Sequence, residues 1–243
     1  MMKRSMATVV FLVLLIVGLT ACIGDTEQDQ QLEQNNETGE LPEEVDEEMI
    51  SSDELLDEDE RVATVNGETI DGADYNAVYY ELKSTRSSET FDGQALEAFQ
   101  REVVDEVIRR RLLIQDAEER GIRVTEGEIE NAYLDTRAQF ETEDEFYQIL
   151  DSLPYSSEHF REILAYSLIR QYYIEQEFSD IEITEQDVEL FYELLEEQMD
   201  EAPPFNEIEG QLERELLENE IDRVINERLD RLEEEADITI YID

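Results

Sequence analysis

Apolar residues recur along this chain with two different periods, and each change of period marks an element. Val62-Ala63-Thr64-Val65 and Glu68-Thr69-Ile70 read as short strands flanking Asn66-Gly67, a pair that favours a two-residue hairpin turn. Asp71 then stands at a helix N-cap position, ahead of Tyr75, Val78, Tyr79 and Leu82 at three- and four-residue steps. Beyond a polar loop around Ser87 and Ser88, Leu96, Phe99, Val103, Val107, Ile108, Leu112 and Ile114 predict a long helix from about Gln94 to Arg120. Gly121 follows, where a helix C-terminus favours glycine.

The segment Ile122 to Tyr133 parallels Ile181 to Tyr192, and each contains a threonine three residues before an acid. Thr125 with Glu128, and Thr184 with Asp187, resemble capping boxes and predict two helix starts. Between them the pattern predicts a short helix over Glu143–Asp151, a break at Pro154 and a longer helix over Ser157–Phe178. The last helix runs from Phe205 to Glu235 on Leu212, Leu216, Leu217, Ile221, Val224, Ile225, Leu229 and Leu232. It gives way to Ile238-Thr-Ile-Tyr-Ile242, which has strand character and needs a partner. The hairpin is the other β signal, so the two ends of this region are expected to meet in one sheet. The fold class is mainly α, with a small β-sheet formed by the N-terminal hairpin and the C-terminal strand.

The first 60 residues follow another logic. Lys3 and Arg4 precede an apolar stretch over Met6–Gly18, and a small residue, Ala21, stands before the chain's one cysteine, Cys22. This is the pattern of an export signal, residues 1–21. An uncleaved anchor with an incidental cysteine is the alternative, but the stretch is short beside the roughly 20 apolar residues a spanning helix needs. Residues 23–60 hold 17 acidic and no basic or aromatic residues. With Cys22 they read as a disordered tether, residues 22–60, of roughly 30–37 Å root-mean-square span.

Charge narrows the partners. The chain carries 67 acidic and 18 basic residues, for a formal charge of −49. It therefore repels nucleic acid and anionic lipid headgroups. Acid-rich, lysine-poor composition resembles that of halophilic proteins, because in about 1 M salt the Debye length falls to about 3 Å and like charges are screened.

Two resemblances carry functional content. Leu19-Thr20-Ala21-Cys22 resembles the lipobox of bacterial lipoproteins, in which the cysteine sulfur receives a diacylglycerol and becomes the mature N-terminus. It implies lipidation (palmitate among the acyl chains) at Cys22 and a location on the extracytoplasmic face of the cell membrane. Val62-Ala-Thr-Val-Asn-Gly-Glu-Thr-Ile70, then Leu112 to Ile129, Ile183 to Tyr192, Phe205 to Leu216 and Ala236 to Ile240, resemble the N-terminal chaperone domain family of SurA, PrsA and PpiD. That resemblance spans residues 61–243. It implies a multi-helix fold of the SurA N-terminal or trigger-factor C-terminal kind, and ATP-independent binding of unfolded secreted polypeptides. Isomerase members insert a parvulin domain between the helix of Ile183–Tyr192 and that of Phe205–Leu216. Here the connection is Met199 to Pro204, too short for a domain. Prolyl isomerase activity is not expected; residual isomerase activity and a non-enzymatic adaptor for one envelope partner are the rival functions.

No catalytic, cofactor-binding or metal set is predicted. His159 is the single histidine and there is no thiol beyond Cys22, so zinc and thiol-nucleophile sites lack ligands; His159 is assigned a surface or capping role. On the Ser157–Phe178 helix, Phe160, Leu164, Ser167, Leu168, Gln171, Ile174 and Phe178 follow one face, and Tyr166, Ile169 and Tyr173 the opposite one. A helix apolar on two sides is either central to the fold or offers one side to a partner. Under the second reading Tyr166, Ile169 and Tyr173 contact clients.

Overall fold

A computed structural model describes residue 50 and residues 54–86, 93–199 and 202–242. Cys22, the signal and most of the tether lie outside these described residues. Strands β1 (Arg61–Val65) and β2 (Glu68–Asp71) form the hairpin, turning through Asn66 at φ 53° and Gly67 at φ 88°. Positive φ at both positions is what a type I′ turn demands, and Asn-Gly supplies it at least cost. Helices α1 (Gly72–Thr85), α2 (Gly93–Glu119), α3 (Glu126–Arg137), α4 (Glu143–Asp151), α5 (Ser157–Glu177), α6 (Glu185–Gln198) and α7 (Phe205–Glu235) follow. Strand β3 (Ile238–Ile240) closes the chain onto β1 in a sheet of order β2-β1-β3.

Both pairings are antiparallel, with Ala63 opposite Ile240 and Val65 opposite Ile238 on the β3 side. Asn66 ties this seam further. Its N–H donates to the Asp237 carbonyl, and its side-chain Oδ1 accepts from the Asp237 N–H. As the central strand, β1 has both edges paired, and Val62, Ala63 and Val65 are fully buried.

Among the described residues, three helices start in capping boxes: Asp71 with Asp74 on α1, Thr125 with Glu128 on α3, and Thr184 with Asp187 on α6. In each, two backbone N–H groups that a helix start leaves unpaired are satisfied by side chains.

Among the described residues, two apolar clusters form the interior. The larger joins β1 and β2 to α1 and α2 through Val62, Tyr75, Tyr79, Phe99, Val103 and Leu113, and takes Ile225 and Leu229 from α7. The smaller packs Ala77, Tyr133, Phe146, Leu150, Phe160 and Leu164 from α1, α3, α4 and α5. Helix α5 serves both. Its N-terminal half fills the smaller cluster with Phe160 and Leu164, while Tyr173 enters the larger one. The two apolar sides of α5 are therefore the mark of a central helix.

One buried carboxylate ties three helices. Asp116 of α2 is 3% exposed and accepts hydrogen bonds from Arg120, from Arg228 of α7 and from the Tyr173 hydroxyl. Burial alone would raise this carboxyl, but the bonds from Arg228, Tyr173 and Arg120 outweigh it and hold its pKa below the ordinary value.

Folded structure begins earlier than Arg61, which corrects the expected tether boundary for residues 54–60. Leu55 and Leu56 pack against the larger cluster, and Glu54 pairs with Lys83 and Tyr79. Leu56 exchanges two 2.9 Å hydrogen bonds with the buried Asn76 side chain, N–H to Oδ1 and Nδ2–H to the carbonyl. Gly72 makes room for this segment: a Cβ there would sit 2.0 Å from the Asp57 carbonyl oxygen. Two leucines in an acidic run carry no helical or strand period, so the pattern along the chain did not reveal them.

Candidate functional site

Helices α1, α2 and α5 and the end of β2 line a cleft of about 510 Å³. Its apolar walls are Val78 from α1, Val107 and Ile114 from α2, and Ile163, Tyr166 and Ile169 from α5. Each wall is built from the periodic positions of its own helix, so the clustering that makes the core also leaves these side chains facing a gap. The charged rim comprises Asp71, Asp74, Arg110, Arg111, Glu158, His159 and Glu162.

The basic rim residues are already engaged. Arg110 bonds Glu106 at 2.8 Å and Glu81 at 2.9 Å, and lies 4.9 Å from the centre of the Tyr166 ring. Arg111 reaches Glu68 and Asp74, each at 3.4 Å. The rim is thus acidic in balance. Partial loss of water at the rim is the first reason the Glu162 carboxyl is raised above its ordinary pKa, although its side chain stays 63% exposed; Asp74, Asp71 and Glu158 push the same way, against His159. Burial likewise pushes the Tyr166 hydroxyl up to about 12.

The three expected client-contact residues separate. Tyr166 and Ile169 are half-buried and line the cleft. Tyr173 is 1% exposed, with its hydroxyl on Asp116, so it is a core residue and not a contact. Seven residues, two helical turns, separate it from Tyr166 on the same face, and that distance carries it past the cleft under α7. Burial first, and then the bond to Asp116, push its pKa up to about 12.

His159 also differs from expectation. Its backbone N–H is capped by Ser156 Oγ at 3.2 Å, yet its side chain is only 11% exposed and faces the cleft rim. Its Nδ1 lies 2.8 Å from Glu162 Oε2, and its Nε2 lies 3.9 Å from Asp74 Oδ1. One potential ligand atom from each of Asp74, His159 and Glu162 falls within 4.8 Å of the others, a grouping that could hold a metal ion. Looking for thiols and paired histidines missed it, because Asp74 and His159 are 85 positions apart and carboxylates are everywhere in this chain.

A second apolar surface went unnoticed in the sequence. On α6, Val188 is buried, while Leu190 and Leu194 are about half exposed at 51% and 54%, with Met199 just beyond at 45%. The signal was present: residues 188, 191, 192 and 195 form one apolar stripe and residues 190 and 194 another.

These features define a mainly helical domain, closed by strands from both ends of its folded part and holding an open cleft with apolar walls and an acidic rim. The chain belongs to the SurA-like N-terminal domain family, which matches residues 1–174. All cleft-lining residues fall inside that match, whereas α6, α7 and β3 lie beyond it. No curated protein and no solved structure is detectably similar to the chain. Among the described residues, no helix is long and apolar enough to cross a membrane.

Proposed function

We propose that this protein is a lipid-anchored, ATP-independent chaperone on the extracytoplasmic face of the cell membrane, binding apolar segments of unfolded secreted polypeptides in the cleft between α1, α2 and α5. The observation that carries the reading is the cleft itself: about 510 Å³ of space walled by Val78, Val107, Ile114, Ile163, Tyr166 and Ile169 in a chain of the SurA-like N-terminal domain family. That volume lies within the usual range for binding clefts, about 300–1,000 Å³, and suits a few apolar side chains. Tyr166 adds a broad ring at low entropy cost on binding. Ile114, Ile163, Tyr166 and Ile169 are half-buried, whereas Val78 and Val107 are buried, so the apolar surface offered is small and favours weak, reversible capture. Leu190 and Leu194 on α6 offer a second patch for the same clients.

The acidic surface keeps chaperone and client soluble in salt, and Cys22 holds the body near sites where exported chains emerge. The short Met199–Pro204 connection leaves no place for a parvulin insert between α6 and α7, so the proposed activity is binding without proline isomerisation. The test is aggregation of an unfolded secreted protein in molar salt with the purified chain present. Slowed aggregation supports the reading, and an unchanged rate rejects it. A proline-limited refolding assay accelerated by the chain would favour the isomerase, and a pull-down yielding one stoichiometric envelope protein would favour the adaptor.

A further inference from the structure

We propose that Asp74, His159 and Glu162 form a binding site for one divalent transition-metal ion at the rim of the cleft. The grouping of these side chains does not depend on client binding. One ligand atom from each residue lies within 4.8 Å of the other two. Metal–ligand bonds of about 2.0–2.2 Å place tetrahedral ligand atoms about 3.4 Å apart; Asp74 faces Nε2 and Glu162 faces Nδ1 on the other side of the ring, so closing the set on Nε2 requires Glu162 to swing away from Nδ1. The Glu162 side chain is 63% exposed, which leaves room for that swing once its 2.8 Å contact with His159 Nδ1 is given up.

Asp74 is held in place for the task. Its Oδ2 accepts from the Asp71 N–H at 3.3 Å and from Arg111 at 3.4 Å. These bonds fix the rotamer and leave Oδ1 facing His159 Nε2 at 3.9 Å. Outer partners that orient a ligand in this way are a regular feature of metal sites. The helix starts of α1 and α5 carry the ligands, so both stand on ordered backbone. Open coordination positions would face the cleft, where a water or a client's polar side chain could complete the ion's shell.

The imidazole decides the class of ion. A chain with 67 acidic residues attracts hard cations through oxygen at many places, without selectivity. One imidazole with two carboxylates instead favours copper, zinc or nickel over magnesium or calcium, with affinity rising toward copper. The site would clamp α1 to α5 across the cleft mouth.

His159 is the chain's one histidine, and this makes the test unambiguous. Cu(II) is added in equimolar amount to the full chain carrying Cys22→Ser, because a free thiol would reduce Cu(II) to EPR-silent Cu(I), and the electron paramagnetic resonance spectrum is recorded. Hyperfine coupling to a single imidazole nitrogen is expected, and it should vanish in His159→Gln. Zn(II) titration by calorimetry should show one site at least tenfold tighter in the wild type than in His159→Gln, with Glu162→Gln also weakened. An oxygen-only copper spectrum with His159 present, or equal Zn(II) affinity in wild type, His159→Gln and Glu162→Gln, overturns the proposal. Proton resonances of the His159 ring give a check that needs no variant: they should shift or broaden with Zn(II) and stay unmoved by Mg(II), and indifference to Zn(II) overturns the site.

Discussion

Replacing Gly72 by alanine should peel the 54–58 segment from the helical body. The new Cβ would sit 2.0 Å from the Asp57 carbonyl oxygen and 3.2 Å from Leu56 Cβ, where ordinary contact starts at 3.4 Å. The obstructing atom is backbone, so no side-chain rotation relieves the clash. Undocking forfeits the two Leu56–Asn76 hydrogen bonds, at about 0.5–1.5 kcal/mol each. It also exposes Leu55 and Leu56, which are only half-buried, and so forfeits about half of the 1.5–3 kcal/mol that full burial gives a leucine. Freed backbone regains about 1–2 kcal/mol of entropy per residue, and alanine is the better helix former by about 1 kcal/mol. Over five residues that entropy is comparable in size to the lost contacts, so the expected loss is the ordinary one for a sterically strained substitution, about 1–2 kcal/mol. Urea unfolding should show it as a midpoint lowered by about 0.5–1 M. The mechanism has a sharper signature in a double-mutant cycle. Asn76→Ala alone is destabilising, but added to Gly72→Ala it should cost little more, because its partner has already left. Wild-type stability in Gly72→Ala, with the Leu56 amide still protected from hydrogen exchange, would refute the reasoning.

Asp116→Asn should cost about 2–3 kcal/mol at pH 7, since charge-assisted bonds to Arg120 and Arg228 are lost inside a nearly buried site. The native pKa of Asp116 is depressed, so its contribution is present above the unfolded value of about 3.9 and is lost as pH falls through the native pKa. The gap in unfolding free energy between wild type and Asp116→Asn should therefore shrink on acidification, and a gap that widened would contradict the hub. Tyr173→Phe should lower stability by about 1 kcal/mol through the lost bond to Asp116 and leave client capture intact, as aggregation assays on the folded variant can show. Thr184→Ala removes the α6 cap and should cost about 1 kcal/mol in thermal or urea unfolding.

Most of the fold was legible because local rules and global packing agree in it. Asn66-Gly67, Asp71, Thr125 and Thr184 each announce a turn or a cap through short-range chemistry, and the structure uses every one of them. The closing strand was legible by need, since a strand at Ile238–Ile240 had to find β1. What the pattern could not convey was which apolar stripe meets which neighbour. Tyr166 and Tyr173 share a face of α5, yet one lines a cleft and the other lies against Asp116 beneath α7, a difference set by residues distant in sequence. The cleft and the Asp74–His159–Glu162 grouping are likewise products of tertiary packing, invisible to any periodicity.

A photo-crosslinking residue placed at position 169 gives the most direct test of the central claim. With an unfolded secreted polypeptide in molar salt, Ile169 should yield client adducts well above those from Glu218, an exposed position on α7 outside the cleft. Adducts from position 169 no more abundant than those from position 218 would contradict binding in the cleft.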